Sequence, residues 1–245
     1  MSLIAENLQR INARITLACQ QVDRDPKAVH LIAVSKTHSA ESVRQAYDAG
    51  QRSFGENYSA EAISKIQALA DIRQHLTWHF IGPVQSNKTR LIAEHFDWVQ
   101  SVDRLKIAQR FSDQRPADLG DLNICLQVNI SKEDTKSGVL PEHALQTSLD
   151  IAQLPRLALR GLMAIPQPGE SLEVIQHLQH LFLVIQEQLK NTHQHSTFDT
   201  ISVGMSDDLE RAIAGGSTMV RIGTAIFGSR VTPINTEKQT WKQWI

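Results

Sequence analysis

Eight short apolar runs, each followed by an amphipathic or polar stretch, constrain this chain more than any other feature. They are His30–Val34, Arg52–Gly55, Trp78–Ile81, Trp98–Val102, Leu122–Ile130, Leu159–Ile165, Thr200–Val203 and Met219–Phe227. Between them lie segments with helical spacing of apolar residues: Glu41–Ala49, Ser59–Leu69, Lys88–Glu94, Arg104–Ser112, Glu142–Leu154, Ser171–Leu189 and Asp207–Ala214. Runs rich in Val and Ile that stop at Gly, Asn, Ser or Asp read as parallel strands buried on both faces. Repeated β–α units demand right-handed crossovers, so the sheet is parallel. With no linker between units, an α/β fold closed as a (β/α)8 TIM barrel is expected, and 245 residues match the roughly 250 that such barrels need. An open doubly wound sheet is the alternative. It is disfavoured because no dinucleotide-type Gly-rich turn follows the first run.

Two segments lie outside this repeat. Residues 2–22 predict an extra helix, capped by Ser2, with Ile4, Leu8, Ile11, Ile15 and Val22 on one face. It is expected to pack on the outside or bottom of the barrel. Thr236–Ile245, with Trp241 and Trp244, reads as a last helix that covers it. The whole chain, 1–245, is therefore expected to be one barrel domain.

Charge and composition exclude several function classes. The 25 basic and 26 acidic residues nearly cancel, which leaves no field to hold nucleic acid or an anionic membrane. No uncharged apolar stretch reaches the roughly 18 residues of a membrane span, and the N-terminus carries no signal-peptide pattern. Cys19 and Cys125 sit in apolar patterns, as buried thiols in a reducing compartment do. A cytoplasmic location is expected.

The first run continues Ala33-Val34-Ser35-Lys36, so Lys36 lies at a strand's C-terminal end. That end of a barrel builds the active site. Partial desolvation there disfavours an ammonium and frees the neutral amine for attack on a carbonyl. Two chemistries fit: a substrate Schiff base of the aldolase kind, or a permanent link to a phosphorylated aldehyde cofactor. The seventh and eighth units bear on that choice. Ile201-Ser202-Val203-Gly204-Met205-Ser206-Asp207-Asp208 reads as strand, turn and helix start, and Met219 to Thr224 as the last strand. The loops after strands seven and eight commonly bind phosphate in this fold. Ser202, Gly223 and Thr224 offer hydroxyls and a backbone that a phosphate can approach closely. Arg221 alternates with Val220 and Ile222, so it faces the barrel interior or mouth, where a charge must be paired or used.

Several ordered motifs then carry a resemblance. Ala33-Val34-Ser35-Lys36, Phe54-Gly55-Glu56-Asn57-Tyr58, Trp78-His79-Phe80-Ile81-Gly82, Gln85-Ser86-Asn87-Lys88, Gly161-Leu162-Met163 and the Gly204–Gly228 stretch resemble the pyridoxal phosphate homeostasis protein family. That family is related to the N-terminal barrel of alanine racemase, a fold-type III pyridoxal phosphate protein. The resemblance runs from about residue 5 to residue 230. It departs from the family's usual pattern at Pro83-Val84 and at Ala164-Ile165-Pro166. It implies pyridoxal 5'-phosphate as cofactor, held as a covalent aldimine on Lys36. Arg221 would face the ring nitrogen, Ser202, Gly223 and Thr224 the phosphate, and Asn57 the cofactor. His79, Gln85, Asn87, Met163 and Met205 would lie in or behind the pocket. No metal site is expected, because His177, His180, His193 and His195 lack a third-ligand spacing.

Three functions are compatible with these residues. One is a protein that binds, stores or delivers pyridoxal phosphate, with pyridoxal phosphate-dependent apoenzymes as candidate recipients and no or weak catalysis. The second is an amino-acid racemase and the third an aldolase-like barrel. Racemisation needs an acid and a base on opposite faces of the ring, and the chain has only Tyr47 and Tyr58 as tyrosines to complement Lys36. The aldolase reading leaves Arg221 without a role. The homeostasis role is expected, in a monomer.

Overall fold

The computed structural model describes residues 2–133, 136–191 and 197–229. Eight parallel strands close on themselves in sequence order: β1 (His30–Val34), β2 (Ser53–Glu56), β3 (Thr77–Phe80), β4 (Trp98–Val102), β5 (Leu122–Gln127), β6 (Leu157–Met163), β7 (Thr200–Ser202) and β8 (Met219–Ile222). The barrel shuts where β8 meets β1, with Arg221 opposite Ile32 and Ile222 opposite Ala33. The helices are α1 (Leu3–Gln21), α2 (Ala40–Asp48), α3 (Ser59–Ala68), α4 (Thr89–His95), α5 (Leu105–Gln114), α6 (Pro141–Ala152), α7 (Leu172–Asn191), α8 (Leu209–Ala214) and α9 (Thr224–Phe227). The (β/α)8 barrel read from the eight runs is the fold.

Two runs end earlier as strands than their apolar character implies. The Met219–Phe227 run breaks after Ile222: Gly223 caps a single helical turn, α9, whose Ile226 is buried. A glycine between two apolar stretches lets the chain leave the sheet and bury the second stretch in another geometry. The Leu122–Ile130 run leaves the sheet after Gln127. Val128 makes only an isolated bridge to Val139. Asn129 folds the chain back by donating from Nδ2 to the Glu133 carbonyl and accepting from the Glu133 amide, a side-chain competition with the ladder. The expected helix at Thr236–Ile245, with Trp241 and Trp244, lies outside the described residues.

Two apolar regions hold the barrel. The larger lies between the outer face of the sheet and the inner faces of the helices, with Phe54, Trp78, Phe96 and Phe111 among its bulkiest members. The smaller fills part of the barrel interior: Ile32, Trp98, Cys125, Met163 and Met219. Barrel interiors are usually filled by bulky branched residues. Here buried His79, Gln100, Ser202 and Arg221 join them, and a buried polar group must find a partner.

The N-terminal helix packs outside the ring, against α2, α8 and α9. Ser2 caps it by accepting from the Ala5 amide. Its polar face is tied to the top of the barrel. Asn7 Nδ2 donates to the Ile226 carbonyl at 2.8 Å, and Arg14 donates to the Ser206 carbonyl at 3.1 Å while pairing with Glu210. Both cysteines are buried free thiols. Burial pushes the Cys125 thiol up to about 12, so it is inert at neutral pH. Among the described residues no helix is long and apolar enough to cross a membrane, and no cluster of metal-ligating side chains forms.

Candidate functional site

A cavity of about 450 Å³ opens at the C-terminal ends of the strands, within the roughly 300–1,000 Å³ usual for small-molecule sites. Lys36, Asn57, Arg221, Gly223 and Thr224 line it together, with Met205, Ser206 and Asp207 on the loop after β7. The eight-stranded closure is what collects them. They come from the ends of β1, β2, β7 and β8, each within five residues of its strand end.

Lys36 is half-buried and follows β1 by two residues. Its position is fixed from behind by a charged network outside the barrel wall. Lys65 on α3 is buried and donates to three oxygens: the Ser35 carbonyl at 2.7 Å, Glu56 Oε1 at 2.6 Å and Glu61 Oε1 at 2.8 Å. Ser35 Oγ also donates to Glu56 Oε1, at 2.6 Å. On the other side of Lys36, the Thr37 amide donates to Glu61 Oε1 at 2.6 Å. Thr37 adopts φ 66°, a region that a β-branched residue occupies only when its surroundings impose it. The peptide groups on both sides of Lys36 are thus gripped by one ion cluster. Burial raises the Glu56 carboxyl above its ordinary range, against the opposing pull of Lys65 and Ser35.

Arg221 is buried, 5% exposed, and donates from Nη1 to Ser202 Oγ at 2.6 Å and from Nη2 to the Ala164 carbonyl at 2.9 Å. Burial lowers its pKa to about 10, so it remains a cation at neutral pH. No carboxylate among the described residues forms an ion pair with it. A buried charge without a direct ion-pair partner is costly; Asp208 acts on this one only at longer range, and it is turned to a cavity. Asn57 adds a second unmet demand, because its Oδ1 is buried without a partner among the described residues. Its backbone is held by Gly82, where an added Cβ would run into the Asn57 carbonyl oxygen. Gly204 turns the chain out of β7 at φ 106° and packs against Ala212 too closely for a side chain. That turn brings Met205–Asp207 over the cavity.

Ser202 occupies a different place from the one expected of a phosphate ligand. It is fully buried, its hydroxyl accepting from Arg221 and donating to Gln100 Oε1 at 2.7 Å. Ser202 is the last residue of β7, and its buried side chain lies against the Arg221 guanidinium. Of the other motif residues, Met205 lines the cavity. Met163 is in the interior apolar cluster. Gln85 lines a separate side pocket with Tyr58, and Asn87 is exposed. His79 is buried deep in the interior, stacked on Trp98 with centroids 5.2 Å apart. It lines a second cavity of about 470 Å³ at the N-terminal ends of the strands, with His30, Ser53, Thr77 and Thr218. His177 and His180 are exposed on α7, while His193 and His195 lie outside the described residues.

Sequence reasoning did not single out Lys65, Glu56, Glu61 or Gln100. The i, i+4 pair Glu61–Lys65 reads as a solvated helix face. The available signal was that Lys65 shares its face of α3 with Ala62, Ile66 and Leu69, all buried.

Comparison with known proteins gives consistent findings. Residues 7–231 match the alanine racemase N-terminal domain family. A pyridoxal phosphate homeostasis protein of Pseudomonas aeruginosa is 56% identical over 230 residues, 94% of this chain and 97% of that protein. One of Escherichia coli K12 is 51% identical over 231 residues, 94% of this chain and 98% of its own. The structure of PipY from Synechococcus elongatus with pyridoxal phosphate bound is 35% identical, with a TM-score of 0.79 over 92% of this chain and all of that one. An alanine racemase of Corynebacterium glutamicum, 15% identical with a TM-score of 0.62, shares the fold alone, and this chain covers 62% of it.

Proposed function

The chain belongs to the pyridoxal phosphate homeostasis protein family, and from that membership we propose that it binds pyridoxal 5'-phosphate and acts in its homeostasis by binding, storing or delivering it, with little or no catalysis of its own. The observation that carries this reading is the pairing, in one cavity, of Lys36 with a buried guanidinium that has no ion-pair partner among the described residues. Bound there, pyridoxal phosphate supplies an aldehyde that an amine can attack, a ring nitrogen that accepts a hydrogen bond, and an anionic phosphate.

The residues present fit that group. Lys36 is the amine that holds it covalently, its backbone fixed on both sides so that Nζ enters the cavity from one direction. Arg221 donates to the ring nitrogen, and because a guanidinium does not give up its proton here, that nitrogen stays unprotonated and the ring withdraws electrons weakly. Gly223 and Thr224, at the start of α9, line the cavity and offer a hydroxyl and closely approachable backbone to the phosphate. Asn57 brings its buried Oδ1, which has no partner among the described residues. Ser202 contributes through Arg221, which it holds from below.

The cavity lining also supports weak catalysis. Besides Arg221, its ionisable side chains among the described residues are Lys36 and Asp207, with no tyrosine or histidine. Tyr58 is 57% exposed and belongs to the side pocket, and Tyr47 lies on α2 beneath Arg52. A two-faced acid–base pair of the racemase kind is therefore not assembled from them. We further take residues 1–245 to act as one binding domain, a monomer working in the cytoplasm, where two buried reduced thiols are at home and apoenzymes needing the cofactor are its recipients.

Borohydride reduction after loading with pyridoxal phosphate, followed by peptide mass mapping, tests this directly. A phosphopyridoxyl group on the peptide containing Lys36 is expected. No adduct, or adducts only elsewhere, would overturn the assignment.

A further inference from the structure

Arg221 is the first member of a hydrogen-bond chain that crosses the barrel interior. Its Nη1 donates to Ser202 Oγ at 2.6 Å, Ser202 Oγ donates to Gln100 Oε1 at 2.7 Å, and Gln100 Nε2 lies 3.1 Å from His79 Nδ1. The same Gln100 nitrogen lies 3.6 Å from Met219 Sδ. Ser202 and Gln100 are fully buried and His79 is 2% exposed.

The direction of this chain is dictated by its first atom. A guanidinium can only donate, so Ser202 Oγ accepts from it and must direct its single hydrogen to Gln100. That requires the amide oxygen of Gln100 to face Ser202, which turns the NH₂ towards His79 and Met219. Both amide hydrogens then meet acceptors, a ring nitrogen and a thioether sulfur. His79 Nδ1 must accept and so carries no proton, which places the ring hydrogen on Nε2. Flipping the Gln100 amide would leave the Ser202 hydrogen without its acceptor and set the amide oxygen against the Met219 sulfur.

We propose that Gln100 and His79 are positioning residues for Arg221: they close a one-directional hydrogen-bond chain that holds the guanidinium as a fixed donor towards the ring of bound pyridoxal phosphate. This rests on the cofactor reading above. It also explains why polar side chains occupy an interior layer that bulky branched residues would otherwise fill. The surroundings of His79 keep it neutral. His30 on β1 is a potential cation, Arg160 on β6 lies 4.9 Å from the centroid of Trp98, and Arg221 is a cation on β8, whereas the carboxylates Asp199 and Asp97 at this end are already committed to Arg160 and Arg73. Burial opposes protonation in the same sense.

The first test needs no cofactor. In protein carrying ¹⁵N-labelled histidine, ring ¹⁵N shifts are expected to show His79 as the Nε2–H tautomer, unchanged from pH 5 to 8. The Nδ1–H tautomer, or titration within that range, overturns the chain whether or not the protein binds pyridoxal phosphate. The second test is Gln100→Glu, nearly isosteric, which sets a carboxylate oxygen against His79 Nδ1 and should draw a proton onto it. His79 of that variant is then expected to be an imidazolium at pH 7; a neutral ring there contradicts the proposal. The third is Gln100→Leu, checked for folding by circular dichroism. It should bind pyridoxal phosphate on the order of tenfold more weakly, as expected for losing a buried bond to a charged network, with a shifted absorbance of the bound form. Unchanged affinity and spectrum in a folded Gln100→Leu protein refute a positioning role even if Lys36 is the attachment site.

Discussion

His79 shows how far a residue's chemistry is set by what surrounds it. On sequence it belongs to a motif next to a glycine and invites a place in the pocket. In the structure it is an interior acceptor whose pKa is lowered to about 3, mainly by burial and secondarily by His30. In the unfolded chain the ring takes up a proton as pH falls through its ordinary value near 6.5, whereas the folded ring does not until about 3. The stability it supports is therefore complete above 6.5 and is lost as pH falls through that window, by up to about 1.4 kcal/mol per pH unit. Urea midpoints at pH 7 and pH 4.5 should diverge more for the wild type than for His79→Gln; parallel losses in both proteins would place the acid sensitivity elsewhere. Alternation along β8 was enough to send Arg221 inward, and strand ends were enough to gather Lys36, Asn57, Gly223 and Thr224. Neither rule says where a strand stops. Ser202 was expected to meet the phosphate with the loop after β7, but it is the last residue of β7 and its buried hydroxyl is engaged by Arg221 and Gln100.

At the level of elements, the alternation of runs was legible because both faces of a barrel strand are buried and the helices need only one. The strand ends that were misplaced most fell where apolar character continues but the backbone turns, at Gly223 and around Asn129. The extra helix α1 was legible as a helix from its spacing, but its attachment was not, since no local signal marks which carbonyls a distant Asn or Arg will reach. That attachment has a functional bearing: Asn7 holds the turn that begins with Gly223 and Thr224, and Arg14 holds the loop through Ser206. The exposed Arg14–Glu210 pair adds little by itself. Loss of the part-buried Asn7 bond should cost about 1 kcal/mol. Asn7→Ala is expected to release pyridoxal phosphate several-fold faster while unfolding only slightly more easily. Equal release rates, measured by transfer to an excess of an apoenzyme acceptor, would show that α1 does not support the site.

The molecule as a whole is a ring with no free sheet edge among its described strands, so it has no need of a partner to finish its sheet. Its thermodynamic weak point is internal. Arg221 is a buried cation with no ion-pair partner among the described residues, offset only at longer range by Asp208, and any anionic ligand that enters the cavity lowers that electrostatic cost. Ligand binding to the folded state alone stabilises it by about 2.7 kcal/mol at a hundredfold excess over Kd, a rise of several degrees in melting temperature for a chain of this size. Thermal shift with pyridoxal phosphate should show it, and pyridoxal without the phosphate should show less; equal shifts would mean that the anion is not what the site lacks. Such a difference makes the fill state of the protein visible to quality control. An empty carrier unfolds more often than a loaded one and is the form that proteases capture, so its lifetime would follow the supply of the compound it carries, and its abundance would act as a gauge of that supply.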